Sequence, residues 1–156
     1  MSETGDLTGQ LLRILDNRLL DPLEILLEDA HVVDDVRGLL RRRAAGWARI
    51  LETGDDAAAI RMIARLIATL YPDDRAFTPP VDWWRTPLGQ IVVRRAGHPF
   101  AASVSYATAG AMLGISRQGV HDLVRRGRLP RHPDGGVPVD AIRDRLRNSP
   151  PTEESS

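Results

Sequence analysis

Leu7, Leu11, Leu12, Leu15, Leu19 and Leu20 recur at the three- and four-residue spacing that brings side chains to one face of a helix. Asp21 and Pro22 are expected to end or redirect that helix, and Pro22 suits the first turn of the next one, where a missing N–H does no harm. The stripe resumes with Leu23, Leu26, Ala30, Val33, Val36, Leu40, Ala44, Trp47 and Leu51. It reads as one long helix or as two divided near Gly38, since glycine weakens a helix interior. Gly54 is the expected stop, and Asp55 with Asp56 puts negative charge at the start of a third helix, beside its free amides. That helix carries Ile60, Ile63, Ile67 and Leu70 on one side, broadened by Met62 and Leu66, and Tyr71 with Pro72 ends it. Residues 1–78 are thus expected to form a helical interaction or dimerisation domain.

The apolar stripe has two uses open to it. One is the core of a three-helix bundle. The other adds a homodimer face, with Leu26, Val33, Leu40, Trp47, Ile60, Ile63 and Ile67 as candidate contacts, or a docking face for a different protein. Arg41, Arg42 and Arg43 read more readily as a solvated helix face than as a phosphate clamp.

Residues 79–103 are rich in turn signals, with Pro79, Pro80, Pro87, Gly89, Gly97 and Pro99. The adjacent Trp83 and Trp84 are expected to bury themselves against a neighbouring module, which makes this stretch an ordered connector. Gln90 to Arg95 fits a short helix or a strand, because its three consecutive apolar residues show no resolving period.

Beyond it, Ser105 is a good N-cap for a helix carrying Ala109, Met112 and Leu113 inward. Gly114 permits a tight turn, Ile115 pins it, and Ser116 caps a second helix with Val120, Leu123 and Val124 inward. Gly127 is the expected left-handed terminator and Leu129 a further anchor. The second helix opens with Arg117 and Gln118, types that pair with guanine and adenine edges in a major groove. Gly119 is expected to allow close backbone approach. His121, Arg125 and Arg126 suit phosphate or a groove edge, whereas Asp122 is expected to pair within the domain. Residues 128–138 suggest a small hairpin or wing, with Asp134, Gly135 and Gly136 as its turn and Arg128, Arg131 and His132 facing nucleic acid. Val139, Ile142 and Leu146 mark a closing helix.

Composition sharpens this division. The net charge is zero, yet residues 1–80 hold ten Arg against fourteen acids, and residues 81–156 eleven Arg against seven. Attraction to phosphate depends on such local excess. All the basic side chains are Arg, which can grip phosphate or guanine as a fork. With no Cys there is no disulfide framework or thiolate chemistry. His31, His98, His121 and His132 have no coherent metal-ligand spacing, and no phosphate loop or catalytic constellation is present, so neither enzyme activity, cofactor nor metal is expected. No apolar run is long enough for a membrane span, and the start lacks the marks of a signal peptide, so a cytoplasmic location is expected. The first few residues and 149–156 are expected to be disordered.

The sequence Ser105 to Val120, with its Leu-Gly-Ile-Ser turn, followed by Leu123, Gly127, Arg128, Leu129 and Pro130, resembles the MerR/excisionase-like DNA-binding module. The resemblance covers about 44 residues, 104–148 at most. It implies double-stranded DNA binding by the second helix in the major groove, assisted by a wing. It implies no metal sensing, because the metal-binding cysteines are missing and the helical region precedes the module. The expected architecture is mainly α: an N-terminal helical bundle joined to a small C-terminal winged helix-turn-helix domain. The expected function is a sequence-specific, nucleoid-associated transcriptional regulator that acts as a homodimer. A DNA-targeting adaptor in segregation or recombination, and a helical interaction module without DNA binding, are the alternatives.

Overall fold

In the computed structural model, which describes residues 3–73 and 75–148, helices account for almost all regular structure and one two-stranded sheet for the rest. The chain divides into two units, Met1–Phe77 and Thr78–Ser156. The stretch 79–103 therefore belongs to the second unit. The tail 149–156 and the first two residues lie outside the described part.

In the first unit, α1 (Glu3–Leu15) runs into a π-helical turn (Asp16–Leu20) and then α2 (Asp21–Leu27). Pro22 sits in the first turn of α2 as expected, and the helical path is carried through the π-turn without a break. A proline inside an α-helix crowds the carbonyl four residues back and donates nothing to it. Here the wider turn precedes it, with the Asp21 N–H donating to the Asp16 carbonyl. The break comes six residues later, at Glu28, whose φ of 52° is left-handed, and Asp29 then caps α3 (Ala30–Thr53) by accepting from the His31 N–H at 2.9 Å. Gly38 lies within α3 and divides nothing.

Arg37 holds this corner together. Its guanidinium lies 2.8 Å from Asp16, 3.4 Å from Glu24 and 3.8 Å from Asp34, joining the π-turn and α2 to α3. The last helix, α4 (Asp56–Leu70), starts where Asp55 accepts from the Ala58 N–H at 2.7 Å. Arg18 closes its other end, donating to the Leu70 carbonyl at 3.2 Å with its guanidinium 4.2 Å above the Tyr71 ring. α3 packs on α1 and on α4. The core joins Leu7, Leu11 and Leu15 to Val33, Ala44, Ala48 and Leu51 and to Met62, Ile63, Leu66, Ile67 and Leu70.

The second unit begins with a 3-10 turn (Val81–Arg85) and α5 (Pro87–Arg95). Thr86 decides the helix: its hydroxyl accepts from the Gly89 N–H at 3.1 Å, and Pro87 occupies the first turn, so residues 90–95 are helical and not extended. Then come β1 (Ser103–Val104), α6 (Tyr106–Leu113), α7 (Arg117–Arg125), β2 (Val137–Pro138) and α8 (Val139–Asn148). The strands pair antiparallel, Ser103 with Pro138 and Val104 with Val137. Within 128–138 the expected turn forms, the Gly135 N–H donating to the His132 carbonyl at 2.9 Å and the His132 N–H to the Gly136 carbonyl at 3.0 Å. Pro130 and Pro133 keep it from extending into a strand pair, and β2 finds its partner ahead of α6.

Trp84 is the largest buried side chain of this unit, set edge-on against Trp83 at 4.9 Å between ring centroids. Gly89 makes room, since a Cβ there would lie 2.2 Å from the Trp83 carbonyl oxygen. Gln90 ties three elements: its amide nitrogen lies 2.6 Å from the Trp84 carbonyl, 3.0 Å from that of Met112 and 3.3 Å from that of Ala111. The last turn of an α-helix lacks following N–H groups for its carbonyls, that of Ala111 taking only a long contact from the Gly114 N–H at 3.4 Å, so this side chain stands in for the missing turn. We expect Gln90→Leu to destabilise the unit by about 1–3 kcal/mol through the stranded carbonyls. Denaturant unfolding followed by tryptophan fluorescence measures this.

Candidate nucleic-acid interface

Two helices separated by three residues form the centre of the site. Ser105 caps α6, accepting from the Thr108 N–H at 3.2 Å. At the other end Gly114 takes a φ of 73°, and the Ile115 N–H reaches back to the Gly110 carbonyl at 2.9 Å. The chain turns so closely over α6 that a Cβ on Gly110 would lie 2.8 Å from the Ile115 carbonyl oxygen. Ser116 then caps α7 by accepting from the Gly119 N–H at 3.0 Å. From outside, Arg85 donates to the Ile115 carbonyl at 3.2 Å, a bracing contact that no local pattern announces. Val120 is fully buried, and beyond α7 Gly127 has a φ of 71°, with Leu129 buried behind it.

The opposite side of α7 is open. Gln118, His121 and Arg125 are exposed and fall on one face, with Asp122 between them. Gln118 donates to Asp122 at 3.3 Å and Arg125 lies 3.5 Å from the same oxygen, so the carboxylate is held within the helix. Arg117 is exposed at the edge of this face, and Arg126, which caps the helix, is exposed beyond it. The Tyr106 ring comes within 6.0 Å of His121 and joins the surface from α6.

Gly119, His132 and Arg128, expected at the same surface, have these surroundings. Gly119 is part-exposed in the first turn of α7, and a Cβ there would meet Ile115 and Ser116 at 3.4 Å, an ordinary contact distance. The His132 ring is turned into its own loop, where Nδ1 accepts from the Asp134 N–H at 3.1 Å. Arg128 is exposed and lines an open cleft with Asp144 and Arg145 of α8. Arg131 is exposed in the 130–136 loop. Gly135 and Gly136 turn that loop with φ of 86° and 81°, and only glycine fits at 136, where a Cβ would lie 2.3 Å from the Val104 carbonyl oxygen. Arg147 serves the fold as well, donating to the Arg94 and Arg95 carbonyls at 2.9 and 3.2 Å.

Among the described residues no cluster of His, Asp or Glu is arranged to hold a metal ion, and no helix is long and apolar enough to cross a membrane. No protein-family model, curated protein or solved structure matches the chain.

The one titration that stands out is His98. Its ring lies 5.2 Å from that of Trp84, its Nδ1 accepts from the Phe100 N–H at 3.0 Å, and burial holds its pKa below the usual 6.5. The unfolded chain therefore takes up a proton that the folded unit resists. His98 should contribute falling stability as pH drops through about 6.5, levelling off below the folded-state value. Asparagine can accept from the same N–H without titrating. His98→Asn is expected to remove this slope from unfolding curves measured between about pH 7 and 5.

Proposed function

We propose that the second unit binds double-stranded DNA in a sequence-dependent manner, with α7 as the reading helix of a MerR/excisionase-like winged helix-turn-helix, and that the chain is a transcriptional regulator acting on the nucleoid. The observation that carries this reading is the three-residue turn, fixed by Gly110, Gly114 and Ser116, which presents an exposed polar helix face at a set angle. A helix about 10–12 Å across matches a major groove about 12 Å wide. Gln118 supplies paired donor and acceptor atoms for a base edge, and Arg117 a fork for guanine. Arg125, Arg126 and Arg131 supply charge for the flanking phosphates, with the 130–136 loop in the place of a wing.

Asp122 has a definite part in this reading. Free DNA must compete with it for Arg125 and Gln118, so binding exchanges an internal pair for external ones. A carboxylate so close to the backbone also penalises contacts that leave it facing phosphate, which favours sites where a base amine meets it. Catalysis has no part in the proposal.

Selection from a random duplex library, followed by affinity against salt, tests it. We expect an enriched motif, with Gln118→Ala changing the motif and Arg131→Ala weakening all sequences alike while lowering the salt slope by about one. An absence of duplex binding even at low salt would remove the proposal. Binding that never exceeds that to scrambled DNA would remove its sequence dependence.

A further inference from the structure

The first unit leaves an apolar surface uncovered around the corner between α2 and α3. Leu26 is 79% and Ile25 77% exposed, and Leu27, Val32, Val36 and Leu39 are exposed beside them. Such a cluster differs from scattered surface aliphatics because it is contiguous along the chain and ends in a helix face. Val33, Ile63 and Ile67 are buried in the core, so three of the residues first considered for dimer contacts are already used. Leu40 and Trp47 are half-buried, and Ile60 is exposed on α4.

Along α3 the uncovered line runs Val32, Val36, Leu39, Arg43, Gly46 and Ile50, alternating spacings of four and three. That is the repeat with which one helix packs along another. Gly46 leaves open space where a partner side chain would sit, since a Cβ there meets nothing within 4 Å.

Charge decides what kind of helix fits. Residues 16–37 hold seven carboxylates and two arginines, whereas residues 38–49 hold four arginines and no carboxylate. On α3 itself the first half carries Asp34 and Asp35 beside Arg37, and the second half Arg41, Arg42, Arg43 and Arg49 with Glu52. α2 flanks the first half with Asp21 and Glu24, so the surface is more acidic at one end and basic at the other. A second copy lying antiparallel brings each acidic half against a basic one, while a parallel copy sets like against like. On one border of the line, Asp35, Arg42 and Arg49 follow at intervals of seven residues and are all exposed. Antiparallel packing brings the same borders together, so Asp35 of one copy faces Arg42 or Arg49 of the other. At the α2–α3 corner an open cleft of about 590 Å³, lined by Asp21, Glu24, Ile25, Glu28, Asp29 and Ala30, adds room for arginine from the second copy. A specific interface buries about 800 Å² on each side, so the aliphatic residues need the long arginine stems around them to complete it.

We propose that this surface is a homodimer interface in which α3 pairs antiparallel with α3 of a second copy, flanked by α2. The pairing is independent of the DNA reading and is tested without DNA, by sedimentation equilibrium of the full chain over a wide concentration range. The native chain is expected to pass from monomer to dimer, more weakly at high salt. Leu39→Glu, at an exposed position, should weaken the dimer by tenfold or more while the helical circular dichroism spectrum stays unchanged. Asp35→Arg and Arg42→Asp should each weaken it, and the double exchange should restore it. Ile60→Glu on α4 should leave it intact. A native chain that stays monomeric throughout overturns the proposal, as does a dimer that survives Leu39→Glu or that is lost in Ile60→Glu instead.

Discussion

The second unit depends on how closely the chain can fold back over α6. Between Leu113 and Arg117 only three residues are available to reverse direction, and the path they take lies against Gly110. Any side chain at 110 would displace the Ile115 carbonyl, which Arg85 holds from the other side. The angle between α6 and α7 is therefore set by backbone contact, more rigid than an angle set by interleaved side chains. Gln90 reinforces it by fixing the last carbonyls of α6 to the 3-10 turn that carries Trp84. Everything exposed on α7 inherits its direction from these few atoms. A surface built this way has little freedom to adapt, and under the proposed function that suits discrimination between similar sites better than tolerant binding.

Features governed by neighbouring residues were legible in the sequence. Ser105, Ser116 and Asp55 cap helices, and Gly114 and Gly127 are left-handed, because a cap or a tight turn involves atoms only two or three residues apart. The contacts that escaped detection join distant residues or defy the usual residue preference. Glu28 adopts a conformation normally left to glycine, while Gly38, the residue type that suggests a break, lies within α3. β2 pairs with a strand more than thirty residues earlier, and a two-residue strand has no periodicity by which to be found. His132 belongs to a surface-like stretch of sequence, yet its orientation follows from the loop that encloses it. Of the candidate reading surface, Gln118, His121 and Arg125 were legible from helical spacing alone; Tyr106 joins them only through the packing of α6 on α7.

The arginines divide by role in a way their number conceals. Arg18 and Arg147 close helix ends, Arg85 braces a turn, and Arg37 gathers carboxylates from three elements. Each is engaged with the fold, and since Arg85 and Arg147 belong to the second half, its excess of positive charge overstates the side chains free to meet a phosphate. The guanidinium suits these structural duties because its several donors reach neighbouring carbonyls in one plane. Lysine has the charge without the fork.

The strands β1 and β2 enclose both helices of the candidate site, since everything from Ser105 to Gly136 lies between their two residue pairs. A ladder this short does not hold by itself. It closes because Val137 and Val139 are buried with Ile142 once α8 is in place, and Gly136 then fits beneath the Val104 carbonyl. Its opening would free the 130–136 loop while the α6–α7 pair kept its angle, so that the loop and the helix face would differ in amide exchange lifetimes within one small unit.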